Sequence, residues 1–210
     1  MGKAGASGPL GRFRRDPAGV AGIEFAMLAP FLVLLLVGVV ELTRAIDNYR
    51  KVTLLARTLA DLTAQGDTVT PMAAATMTDI VSSSALVLRP FSSSKTTIRI
   101  SAMGVYSTLG TTPYVCSSYA SNATARTAQA AASGLTVPTQ YQTPGMRYVL
   151  VEMTSPFTPL LGTTLLSGIG LSSFTFSMSM PWPPRGGAAI NSTYAEIILP
   201  SGSACPASAS

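Results

Sequence analysis

From Phe25 to Val40 the chain carries no charged residue, and its apolar character reaches back to Val20. As a helix at ~1.5 Å rise per residue, the 21 residues from Val20 to Val40 span about 30 Å, the thickness of a bilayer's hydrocarbon core. The run is longer than the ~7–15 residues of a secretory signal's apolar region, and the "ELTRAIDNYR" that follows lacks a small-residue cleavage site. The reading is therefore a membrane-spanning anchor. Lys3, Arg12, Arg14 and Arg15 precede it, and Glu41, Arg44, Asp47, Arg50 and Lys51 follow it in mixed sign. That asymmetry predicts a single pass with the N-terminus cytoplasmic and the C-terminal part extracytoplasmic.

What remains is one moderate domain. Only 11% of the 210 residues are charged, well under the ~25% usual in soluble domains. The net charge of +5 belongs mostly to the N-terminal tail, because from Val20 onward ten Lys/Arg face eight Asp/Glu. A near-neutral domain offers no basic patch, so nucleic acid is not an expected partner. The absence of histidine removes the commonest general base and metal ligand. No phosphate-binding glycine loop, nucleophile elbow or metal-spaced cluster occurs, and Asp67, Asp79, Glu152 and Glu196 are not paired at short spacing. The expectation is a non-enzyme with no catalytic residues, no metal and no cofactor. Cys116 and Cys205 lie 89 residues apart, far from zinc spacing. Outside the cytoplasm they are expected to pair, the alternative being two free thiols.

Periodicity extends the anchor. Leu42, Ile46, Tyr49, Thr53, Ala56, Ala60 and Thr63 recur at spacings of four and three, with Leu55, Leu59 and Leu62 thickening the stripe. This predicts an amphipathic continuation to about Ala64, broken by "QGDTVTP". "TPMAAATMTDIVSSSALVL" (70–88) reads as a second helix with Thr70 as cap and Pro71 as first residue. Period-two runs at 96–106, 147–155 and 172–182 read as strands. In the last, Phe174, Phe176, Met178, Met180 and Trp182 alternate with Ser and Thr, and the Met178, Met180 and Trp182 part reads as core, the alternative being a binding stripe. The long excursion at 107–146 holds Cys116 and a stretch, "ATARTAQAAAS", that could be a short helix. "NAT" and "NST" fit a glycosylation sequon, a weak pattern. The expected class is α+β, with a long N-terminal membrane-spanning helix packed on a small antiparallel sheet. The expected divisions are a basic cytoplasmic leader at 1–19, the helix at 20–64 and an extracytoplasmic domain at 65–210.

Glu24 is the residue this scheme does not need. Insertion scales charge about 2.5–3.5 kcal/mol for a carboxylate at the centre of a membrane helix. It could lie at the headgroup boundary and reach water, or it could have a task. A basic tail, Gly19, glutamate five residues later and an unbroken apolar helix resemble a type IV prepilin signal. More closely, "RRDPAGVAGIEFAMLAPFLVLLLVGVVEL" with "ARTLADLTAQ" is similar to the TadE-like family, pseudopilin-type subunits of tight-adherence (Flp, type IVc) pilus systems. Likeness returns at "YVLVEMTSPFTPLLG" and "SFTFSMSMPWPP". Phe25 stands where major Flp pilins carry tyrosine. The resemblance implies a pilin-like fold, cleavage by a prepilin peptidase between Gly19 and Val20, and pairing of Glu24 with the new amine as an assembly register. It also implies the bacterial inner membrane, with other pilin-like and platform subunits as partners. The alternative is an anchored envelope domain for binding or adhesion that is not processed.

Overall fold

The computed structural model describes residues 17–66, 70–160 and 173–209. The basic tail read from Lys3 to Arg15 lies outside them. One helix, α1 (Pro17–Ala64), runs for 48 residues, about 72 Å at ~1.5 Å per residue. It passes through Pro30, which removes one donor from the ladder. Beyond Val40 the helix lies on a five-stranded antiparallel sheet, giving the expected α+β class.

The sheet order is β3 (Ala130–Ala131), β2 (Tyr114–Ser121), β1 (Thr97–Gly104), β4 (Arg147–Phe157), β5 (Phe174–Trp182). β4 pairs along its length with both neighbours, from Thr97↔Thr154 to Gly104↔Arg147 and from Val149↔Trp182 to Phe157↔Phe174. Three of these strands are the runs read from the sequence. The 107–146 excursion corrects that reading, since it holds β2, bonded to the central β1, and the two-residue β3. Nothing in "ATARTAQAAAS" is helical.

Strand alternation sends Ile98, Ile100, Ala102, Val149, Val151 and Met153 toward the helix. There they meet Val52, Leu55, Ala56, Leu59, Ala60 and Ala64, all fully buried, at the i, i+3, i+4 spacing of one helix face. Met178, Met180 and Trp182 pack on the same core. The phase of α1 differs from the sequence reading in its middle. Leu42, Ile46 and Tyr49 are exposed, and so is Leu62 farther on, while Glu41, Asn48 and Val52 turn inward.

The opposite face is not bare. Met103, Val115, Tyr148 and Leu150 are covered by Ala132, Val137 and Tyr141 of the excursion, with the Tyr141 ring stacked on Tyr148 at 4.9 Å. Farther along that face Glu152 accepts two bonds from Arg126, at 2.7 and 2.8 Å, with Arg99 at 3.7 Å.

The second helix is shorter than expected. α2 (Ala74–Ser82) is followed by a single turn, α3 (Ser84–Val87). Thr70 and Pro71 lie outside it, and the Met72 N–H is committed to the carbonyl of Ile198. The C-terminal segment is itself structural: Ile197 and Leu199 enter the main core. At the far end of α1, Arg185 and Gly186 both donate to the Ala64 carbonyl, at 2.8 and 2.9 Å. Gly186 lies so close there that a Cβ would sit 2.4 Å from the Gly66 carbonyl oxygen.

Candidate functional site: the bare half of the long helix

Between Val20 and Val40 no residue of α1 is buried against another element among the described residues. Thirteen large apolar side chains in this stretch are exposed, among them Phe25 at 66%, Phe31 at 69% and Leu36 at 65%. Each is worth about 1.5–3 kcal/mol when removed from water, so together they represent some 20–40 kcal/mol. That exceeds the ~5–15 kcal/mol net stability of a whole domain, so water is not their medium. By length and composition this helix can cross a membrane.

Glu24 projects from the apolar stretch, one turn after Val20, exposed and with no ion-pair partner among the described residues. Gly19 and Val20 sit in the first turn, where backbone N–H groups have no helical acceptors. A peptide bond there is released from the helix at less cost than one farther in. Gly22 and Gly38 face open space and leave flat spots on the rod.

Where the helix enters the domain the surroundings change within one residue. Glu41 is 7% exposed and pairs with Arg44 at 3.0 Å. The Arg44 guanidinium lies 5.9 Å from the Phe91 ring and 5.7 Å from that of Phe157. Asn48, 1% exposed, continues the polar face before the aliphatic packing begins at Val52.

The other candidates lie in the folded domain, away from the bare helix. Cys116 on β2 and Cys205 in the tail form a disulfide with Cα atoms 4.7 Å apart. Around it stand Tyr106, Tyr114 and Ala209. Sequence reasoning missed what lies beside it: Arg147 and Glu196, each 3% exposed, with Nε and Oε2 4.0 Å apart. Glu196 accepts the Cys205 N–H at 2.7 Å, and the Arg147 guanidinium covers the Tyr106 ring at 5.0 Å. Burial pushes the Glu196 carboxyl above its ordinary range, against the opposing pull of the Cys205 N–H and of Arg147. Desolvation likewise raises the Tyr106 phenol, whose hydroxyl donates to the Pro206 carbonyl at 2.5 Å. Cys116, Cys205 and Glu196 are also close enough to share an ion, but the two sulfurs are bonded to each other and offer no thiolate.

Three carboxylates among the described residues are held in ion pairs with the domain: Glu152 by Arg126, Glu196 by Arg147, and Asp61 by Arg185 at 3.0 Å. These are pairings that hold segments together.

Residues 19–61 match the model of the TadE-like protein family. The matched segment begins in the first turn of α1 and ends one turn short of Ala64, so it covers the bare half and most of the packed half. No curated protein and no solved structure matches the chain.

Proposed function

With a TadE-like segment at residues 19–61 as premise, we propose that this chain is a non-catalytic, pilin-like subunit in the assembly of a tight-adherence pilus. It spans the bacterial inner membrane once through Val20–Val40, with residues 1–19 as a cytoplasmic leader and the sheet domain outside. The observation that carries this reading is the coincidence of three features on one helix: the family match, thirteen exposed apolar side chains, and a lone carboxylate near the start. A helix of that kind needs lipid and lateral neighbours, not a substrate.

The mechanism follows from the chemistry of the first turns. A prepilin peptidase cleaves between Gly19 and Val20, giving Val20 a free ammonium group. Glycine before the bond leaves the peptidase unobstructed access to the extended backbone. Glu24 then pairs with that ammonium, on its own chain or a neighbouring one. In low dielectric each charge offsets the other's desolvation, so subunits whose registers match are favoured over those that slip. Its partners are the peptidase, other pilin-like subunits and the assembly platform; nucleic acid and cofactors have no place in the scheme.

N-terminal sequencing of the membrane-extracted protein, with and without co-expressed prepilin peptidase, tests this reading. A start at Val20 only when the peptidase is present supports it. An intact leader under both conditions leaves an unprocessed envelope anchor and removes the amine that Glu24 requires.

A further inference from the structure

The α1 helix also sets where the base of the domain must lie. Counted from Val40, Arg44 is about 6 Å and Lys51 about 16 Å along the axis, while each headgroup layer is roughly 5–8 Å deep. Glu41, the first residue past the apolar run, is already 7% exposed, so the domain covers one face of the helix from that point on, while Leu42, Ile46 and Tyr49 on the other face stay exposed. At this end of the sheet, where β1 starts, β4 ends and β5 starts, the rings of Phe91, Phe157, Phe174 and Phe176 form a cluster. Neighbouring centroids are 5.0–6.3 Å apart. Phe157 is buried and Phe91 and Phe176 are half-buried, but Phe174 is 40% exposed and Leu160, three residues past β4, is 69% exposed. Arg89 and Lys95 flank it, both exposed.

We propose that this end of the domain is a membrane-interface surface. Phe174 and Leu160 enter the boundary between headgroups and acyl chains, and Arg89 and Lys95 lie over the phosphates of anionic lipids. The proposal rests on the reading of Val20–Val40 as the span. Lipid is the occupant because the covalent chain leaves no room for another: the residue that follows the apolar core is the residue at which the domain begins. The composition fits the place, since aromatic rings favour the headgroup level and basic side chains favour an anionic surface. Charge agrees in sign as well, with Arg44, Arg50, Lys51, Arg89 and Lys95 at this end against Glu41 and Asp47. The consequence is a domain seated on the bilayer with a fixed orientation rather than swinging above it.

The test uses the full chain in phosphatidylcholine–phosphatidylglycerol vesicles, with a bimane fluorophore at Leu32→Cys, Leu160→Cys or Ser133→Cys in turn. Ser133 is exposed and lies in the excursion packed toward the opposite end of the sheet. The Leu160 fluorophore should lose most of its emission to lipid carrying a headgroup nitroxide, and the Ser133 fluorophore almost none. Quenching of the Leu32 fluorophore by a nitroxide deep in the acyl chain checks the span separately. A quenched Leu32 with a Leu160 as unquenched as Ser133 overturns the proposal and leaves the span standing. An unquenched Leu32 overturns both.

Discussion

Glu24 stands on bare helix, whereas Glu196, 3% exposed, is enclosed by the domain. The two carboxylates answer to different tests. If Glu24 meets the Val20 amine, Glu24→Gln should weaken lateral association of the processed protein by about 1–2 kcal/mol, the scale of a polar contact between membrane helices. Energy-transfer dilution in vesicles reads this, and the same substitution in the unprocessed chain should change nothing. For Glu196 the sign is set by burial. Its carboxyl is raised above the ordinary value of 4.5, so the folded state holds the proton more tightly than the unfolded state does. Stability from this group is full below that value and is lost as pH rises through the raised folded value. Glu196→Gln should flatten that fall, measured by urea unfolding across the acidic range. Arg147→Leu should cost about 3–5 kcal/mol at neutral pH, because it strands a buried carboxylate.

At the scale of elements, the phase of α1 is the sharpest claim. Leu54 and Leu55 are adjacent, but Leu54 is 56% exposed and Leu55 is fully buried. Leu55→Ala should cost about 2–5 kcal/mol and Leu54→Ala well under 1, as read by thermal unfolding in detergent. That phase was only partly legible in the sequence. Apolar periodicity located Ala56, Leu59 and Ala60 correctly. Higher up the helix it chose Leu42, Ile46 and Tyr49, while the domain takes the polar Glu41 and Asn48. Pattern reading assumes an apolar contact face, and here the contact nearest the anchor is made by an ion pair and aromatic rings. Strands β1, β4 and β5 announced themselves through alternation. β2 did not, because its centre is Ser117 and Ser118, with Ser118 meeting Ser101 hydroxyl to hydroxyl at 2.9 Å. A strand stabilised by small polar pairs carries no alternating apolar signal. The Gly19–Glu24 spacing and the bare span could be read directly, whereas Arg147 and Glu196 meet only through the fold.

The whole molecule is closed by its C-terminal segment. Ile197 and Leu199 complete the main core, and the Cys116–Cys205 disulfide ties the tail to β2 across a separation of 89 residues. In the loop-closure account a cross-link of that span is worth about 4–5 kcal/mol. Cys205→Ser should therefore lower the unfolding midpoint substantially. The tail should then become the first site of protease cleavage, read by limited proteolysis and mass spectrometry. The bare half of α1, by contrast, should be untouched by this change, since none of its residues is buried against the sheet among the described residues.

From Glu41 to Ala64 the helix contains neither glycine nor proline, and it is hydrogen-bonded to the domain at its far end. Such a shaft has no slack. A machine that drew the apolar half out of the bilayer would raise the sheet domain by ~1.5 Å for every residue extracted, stroke for stroke. With Val20–Val40 as the proposed span, torque delivered at Glu41 would likewise turn the domain with it, so force at the bilayer surface would become displacement beyond it.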